Sequence, residues 1–131
     1  MKLTSVSKGH VTAELLVQSR HANELGTLQG GMATTIVDFY TSLAVLTIPA
    51  GEHTVTSGVS VNLNVDFLAP VSVGETVVIE ARTLRSGKRI AFVSCDFFEK
   101  ESRRHCIRGK HTHYAVHKAD IYADFKPEDF Q

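Results

Sequence analysis

Residues 10–18, HVTAELLVQ, read as a strand, with a shorter one at 3–7 ahead of it. A turn-prone loop follows, SRHANELGTLQGG, with Asn23 and Gly26 as its turn formers. From Gly31 onward Met32, Ile36, Phe39, Leu43 and Leu46 recur at spacings of four, three, four and three, the stripe of an amphipathic helix. That helix is predicted to run for about 18 residues, roughly 27 Å, and to stop ahead of Pro49 and Gly51. SVNLNVDFLAP then alternates, with Val61, Leu63, Val65 and Phe67 on one face and Ser60, Asn62, Asn64 and Asp66 on the other, which predicts a half-buried strand. Three long strand candidates come next: GETVVIEARTLRSG, KRIAFVSCDFFEK and RRHCIRGKHTHYAVH. Ser86-Gly87 and the charged run EKESRR read as the hairpin connections between them. One long helix followed by a meander of four strands predicts an α+β domain with an antiparallel sheet. A helix this poor in charge needs cover nearly all round, from a sheet curled about it and from a partner subunit.

Composition narrows the picture without redirecting it. A chain of 131 residues suits one compact domain, assigned to residues 1–118, with an acidic and aromatic tail, ADIYADFKPEDFQ, making up the end (119–131). Apolar residues at 43% and charged residues at 21% are ordinary for a soluble globular protein. Fourteen Lys and Arg balance fourteen Asp and Glu, so no electrostatic footprint for nucleic acid or an anionic membrane is visible. The segment from Leu25 to Gly51 is weakly charged, but its glycines, hydroxyls and Asp38 argue against a membrane span. MKLTSVSKGH lacks the apolar run of a signal peptide, so the expected location is cytoplasmic, with a mitochondrial one as the alternative. Cys95 and Cys106 are too few for a disulfide framework and are expected to be reduced packing residues.

Asp38 is the single charged residue of the helix, and Thr34, Asp38 and Thr41, with Ser42 beside them, form a polar stripe. A solvent stripe normally carries Lys and Glu; small hydroxyls around one acid suggest chemistry instead. GTLQGGM at the helix start adds a second component. Glycine lets a ligand oxygen approach bare backbone N–H groups, and the helix dipole favours negative charge there, as an oxyanion hole requires. His105, His111, His113 and His117 share one parity, so an uninterrupted strand would set them on one face. No cysteine or carboxylate joins them at metal-ligand spacing, and no metal site is assigned. His21, beside Asn23, is expected to brace the loop.

HANELGTLQGGMATTIVD, GVSVNLNVDFLAP, SGKRIAF and GKHTHY, taken in order, resemble the hotdog-fold acyl-CoA thioesterases of the PaaI-like group, over about residues 10–114. The resemblance implies a long central helix wrapped by a curved antiparallel sheet of five to six strands. It implies that Asn23 and the backbone N–H of Gly30 polarise a thioester carbonyl. It also implies that Asp38, from the neighbouring subunit, acts as general base on a water that Ser60 helps to orient. Coenzyme A would lie along Ser60, Asn62, Phe67, the segment Arg85, Ser86, Gly87, Lys88, Arg89 and Ile90, and Tyr114. Arg85, Lys88 and Arg89 also suit a phosphate grip on charge grounds. The implied partners are an acyl-CoA substrate, fatty or aryl, and further copies of the chain, a dimer of dimers. Nucleic acid, stable membrane insertion and a cofactor are not among them. Where the family pattern reads His-Gly-Gly, this chain has Gln29-Gly30-Gly31, and glutamine does not titrate near neutrality. That departure favours one alternative, a non-catalytic or weakly active module binding acyl-CoA or a protein. A hotdog hydratase would require a helix histidine, and none lies between residues 30 and 48.

Overall fold

The computed structural model describes residues 1–48 and 58–114. Two strands open the chain, β1 (Lys2–Ser7) and β2 (His10–Leu16), followed by a short 3-10 turn over Ser19–His21 and the helix α1 (Gly30–Leu46). Four strands follow: β3 (Val59–Phe67), β4 (Thr76–Ser86), β5 (Ile90–Glu99) and β6 (His105–Tyr114). They form one antiparallel sheet in the order β1-β2-β4-β5-β6-β3, with α1 against one face. The expected α+β architecture, one helix wrapped by six antiparallel strands, is therefore present. The expected four-strand meander shortens to β4-β5-β6. β3 crosses to the far edge and pairs with β6 instead, Leu63 opposite His111 and Phe67 opposite Ile107. The alternation inside a strand carries no information about which neighbour it chooses. The position called 119–131 in the tail assignment, and His117, lie outside the described residues.

The buried face of α1 is rotated from the predicted one. Ala33, Ile36, Val37, Tyr40, Thr41, Ala44 and Val45 are buried against the sheet. Of the predicted stripe, Ile36 joins them, Met32 and Leu43 are half-buried, and Phe39 and Leu46 are 60% and 53% exposed. The offset is one residue, about 100° around the helix axis. Close approach explains it, because small and β-branched side chains let the helix settle onto the strands. A methyl group added at Gly109 of β6 would lie 2.7 Å from Val37 Cγ1, so this glycine is where the helix touches down. The sheet alone does not cover α1 all round, as the sequence had suggested some element must.

Two bulges redirect side chains. In β3, Ser60 pairs with His113 and Asn62 with Thr112, leaving Val61 as an extra residue. Leu63 and Val65 still pack toward the core, while Val61 and Phe67 are 62% and 58% exposed. In β6, Phe97 pairs with Ile107 and Phe98 with His105, so Cys106 is extra. His105 is thereby separated from His111 and His113: its Nε2 lies 2.8 Å from Asp96 Oδ1 and its ring stacks on Phe98. The four-histidine face expected from parity is thus broken by the bulge. Both cysteines are free and buried, and Cys95 lies opposite Gly109, not Cys106. Both hairpins fall where turn residues placed them, with Gly87 N–H donating to the Ile90 carbonyl and Arg103 in the left-handed region at φ 62°.

Candidate active site

Asn23 is held by the loop it organises. Its Oδ1 accepts from the N–H groups of Leu25 and Thr27, and its Nδ2 donates to Thr27 Oγ1 at 2.9 Å. An amide nitrogen carries two hydrogens, and no described residue takes the second. The loop is pinned to the segment after β3 by Leu28 N–H to the Val71 carbonyl and Val73 N–H to the Gly26 carbonyl. His21 braces it from beneath. This buried ring accepts the Gln18 N–H at Nδ1, and its own carbonyl accepts the Gln29 N–H at 2.9 Å. Burial, then the neighbouring Arg20, holds the His21 pKa below its ordinary value. The expected bracing role is what the ring performs.

Gly30 opens α1, so its N–H has no carbonyl one turn earlier to bond. A Cβ added here would lie in van der Waals contact with the Phe67 ring, at 3.4 Å. Asn23, Gly30, Phe67 and Leu68 line a cleft of about 400 Å³. This is one half of the predicted site: an amide donor, a helix-start N–H and an aromatic wall. Gln29 caps the helix without a side-chain hydrogen bond and points to solvent.

The second half lies further along the helix. Asp38 is 55% exposed at its side chain, so the carboxylate is not buried within a single chain. The surrounding hydroxyls do not hold it either. Thr34 Oγ1 donates to the Gly30 carbonyl, Thr35 Oγ1 to the Gly31 carbonyl and Ser42 Oγ to the Asp38 backbone carbonyl. Helical serines and threonines bond back one turn by geometry, so the polar stripe read from the sequence does not supply the acid with hydrogen-bond partners.

What Asp38 does approach is a histidine. His111 Nδ1 lies 3.8 Å from Asp38 Oδ1 and 2.7 Å from Thr41 Oγ1, and Nε2 lies 2.7 Å from Ser60 Oγ. Asp38 and Ser60 are thus linked through one buried imidazole, whose ring centroid lies 3.7 Å from that of His113 with the two planes tilted by 44°. Burial, then His113, pushes the His111 pKa down to about 4 against a smaller opposing pull from Asp38, so the ring is neutral at physiological pH. The β3 bulge makes this cluster. Unbroken alternation would set Ser60 beside Asn62, whereas Ser60 reaches the helix side and Asn62 lines an outer groove of about 760 Å³ with Asn64, Leu84 and Phe92. His111 was missed as a site residue. The signal available was its parity with Ile107 and Gly109, the apolar and small positions of β6 that face the helix.

The remaining predicted residues form a third group on the β4–β5 hairpin and the end of β6. Arg89 Nη1 donates to the Tyr114 hydroxyl at 3.1 Å, and Arg85, Ser86, Gly87, Lys88 and Ile90 lie on the same hairpin. Among the described residues no cluster of metal-ligating side chains occurs, and no helix is long and apolar enough to cross a membrane.

Residues 25–106 match the Thioesterase superfamily. The chain is 37% identical over 110 residues to human acyl-coenzyme A thioesterase 13, covering 84% of this chain and 76% of that protein. Its fold is similar to the crystal structure of zebrafish thioesterase superfamily member 2, with a TM-score of 0.81 and 32% identity, covering 87% of this chain and 80% of that one. A Streptococcus mutans protein crystallised with acetyl CoA shares the fold at a TM-score of 0.79 and 20% identity, over 89% of each chain.

Proposed function

This chain belongs to the thioesterase superfamily, and from that premise we infer that it hydrolyses acyl-CoA thioesters, fatty or aryl, to the free acid and coenzyme A. Asp38 takes a proton from a water as the water oxygen bonds to the thioester carbonyl carbon. Asn23 Nδ2 and the Gly30 N–H stabilise the negative charge that develops on the carbonyl oxygen. Collapse breaks the carbon–sulfur bond, and the proton held by Asp38 passes to the departing thiolate. Ser60 orients the water. Arg85, Lys88 and Arg89 face the phosphates of coenzyme A, with Ser86, Gly87, Ile90, Asn62, Phe67 and Tyr114 along its length.

The observation that carries this reading is the division of the machinery into two halves. Gly30 and Asp38 stand eight residues apart on one straight helix, a rise of about 12 Å. A water attacking a carbonyl held at Gly30 therefore lies out of reach of Asp38 in the same chain. A second copy supplies the missing half. β3 is an edge strand of nine residues with Val59 and Val61 exposed, suited to pairing with β3 of a twofold-related copy. That symmetry runs the two helices antiparallel. If their crossing is centred near Thr34, midway between Gly30 and Asp38, each Asp38 meets Gly30 of the second copy. A pair of such dimers completes the proposed assembly, in the cytoplasm or in mitochondria.

Gln29 supports one second reading, an acyl-CoA-binding or protein-binding module with little turnover. Release of free thiol from a panel of acyl-CoA substrates separates the two. Wild-type protein is expected to turn over a medium- or long-chain acyl-CoA, and Asp38→Ala to lose nearly all of that rate while keeping its oligomeric state. Equal rates in the two proteins would refute the proposed chemistry, and tight coenzyme A binding without turnover would favour the module.

A further inference from the structure

The buried contact between Thr41 and His111 decides which way the Ser60 hydroxyl points. A neutral imidazole has one N–H donor and one bare acceptor nitrogen. In His111 both nitrogens meet hydroxyls at 2.7 Å, Thr41 at Nδ1 and Ser60 at Nε2. Each hydroxyl has one proton to place. Thr41 is fully buried, and its Oγ1 also lies 2.7 Å from the Val37 carbonyl and 3.1 Å from the Asp38 backbone carbonyl. Those carbonyls can accept and never donate, so they draw the Thr41 proton toward the helix and leave a lone pair aimed at His111 Nδ1. The Asp38 carboxylate, 3.8 Å from the same nitrogen, adds negative charge on that side. Both influences keep the ring proton on Nδ1. Nε2 is then bare and must receive the proton of Ser60.

We propose that Thr41 is a positioning residue that holds His111 in its Nδ1–H tautomer and thereby commits the Ser60 hydroxyl to donate inward to Nε2. The Ser60 oxygen is left facing the site as an acceptor. This rests on the proposed hydrolysis, where it has a definite use: the attacking water gives one proton to Asp38 and directs the other at Ser60 Oγ, fixing its lone pair toward the carbonyl. With the opposite tautomer, Ser60 would turn its proton outward and compete for that lone pair.

The test reads the tautomer and the rate separately. Nitrogen-15 NMR of the His111 ring in the wild-type protein is expected to show Nδ1 protonated and Nε2 bare; Nε2–H would overturn the proposal. Thr41→Val, nearly isosteric, is expected to lose the Nδ1–H preference and to lower kcat about tenfold with KM unchanged, since one oriented hydrogen bond is removed. Thr41→Ser restores both. A Thr41→Val protein with wild-type tautomer and wild-type kcat also overturns it. Should Thr41→Val fail to fold, the wild-type and Thr41→Ser spectra still decide. A protonated Nδ1 in a protein that hydrolyses no acyl-CoA would leave the tautomer assignment standing and remove the proposed function.

Discussion

Lowering the pH toward 4 should destabilise the fold through His111 more steeply than its neighbours allow for. In the folded chain this ring is buried and its pKa falls to about 4; in the unfolded chain it titrates at about 6.5. Above that value both states hold a neutral ring and the residue contributes nothing to pH dependence. As the pH falls below it, the unfolded chain binds a proton that the folded one refuses, and the equilibrium moves toward unfolding. The difference amounts to about 2 kcal/mol by pH 5 and about 3 kcal/mol once the pH passes below 4. His21, also depressed by burial, adds a loss of the same sign.

Urea unfolding at a fixed protein concentration, at pH 7.5, 6 and 5, measures this in the wild type and in His111→Gln. The variant is expected to be less stable at neutral pH, because it loses two buried hydrogen bonds, but flatter in its pH profile by about 2 kcal/mol over that interval. His21 titrates in both proteins and cancels in the comparison. Parallel profiles would refute the argument, as would an NMR titration that finds His111 protonating near 6.5.

Gly109→Ala should destabilise the fold by about 1–3 kcal/mol, because the new methyl meets Val37 Cγ1 at 2.7 Å and the Cys95 carbonyl at 3.3 Å. Denaturation of the double variant with Val37→Ala is expected to recover part of that loss, and failure to couple would place the clash elsewhere. Replacing Arg85, Lys88 and Arg89 together by Gln should raise KM for acyl-CoA and weaken its salt dependence while leaving kcat near wild type; steady-state kinetics at two ionic strengths check this. Mixing Asp38→Ala with Asn23→Ala subunits, each inactive alone, should restore activity if the site is shared. Random reassortment makes half the dimers mixed, with one intact site of two, so about one quarter of wild-type activity is expected. No recovery after confirmed subunit exchange would return both halves to a single chain.

Local periodicity made most of the fold legible. The strand over 10–18, the helix ending before Pro49 and the two hairpins follow from spacing and turn residues, and each appears within a few positions of its predicted bounds. What periodicity could not carry was pairing and rotation. β3 alternates as a strand on either side of the sheet would, so its place beside β6 depends on contacts made by residues 40 to 55 positions away. The core face of α1 was misjudged because side-chain size points one way and close packing the other. Phe39 is more apolar than Ala33 or Thr41, yet the helix touches the sheet through Val37 at Gly109, and the face on that side, Tyr40 included, is the one buried.

The candidate site divides along the same line. Asn23 and Gly30 were legible because a turn-forming loop and a glycine at a helix start are local features, and local hydrogen bonds hold Asn23 within that loop. Asp38 was legible as a charge out of place. Its environment was not, since the hydroxyls that looked like its partners in sequence bond their own helix. The partner that matters, His111, is brought to it by a bulge that shifts Ser60 by one position against β6. A one-residue slip inverts a strand's faces, so an extra Val61 is enough to move a serine from the solvent side to a buried imidazole. Sequence alternation reports where a strand is regular, and this site is built where it is not.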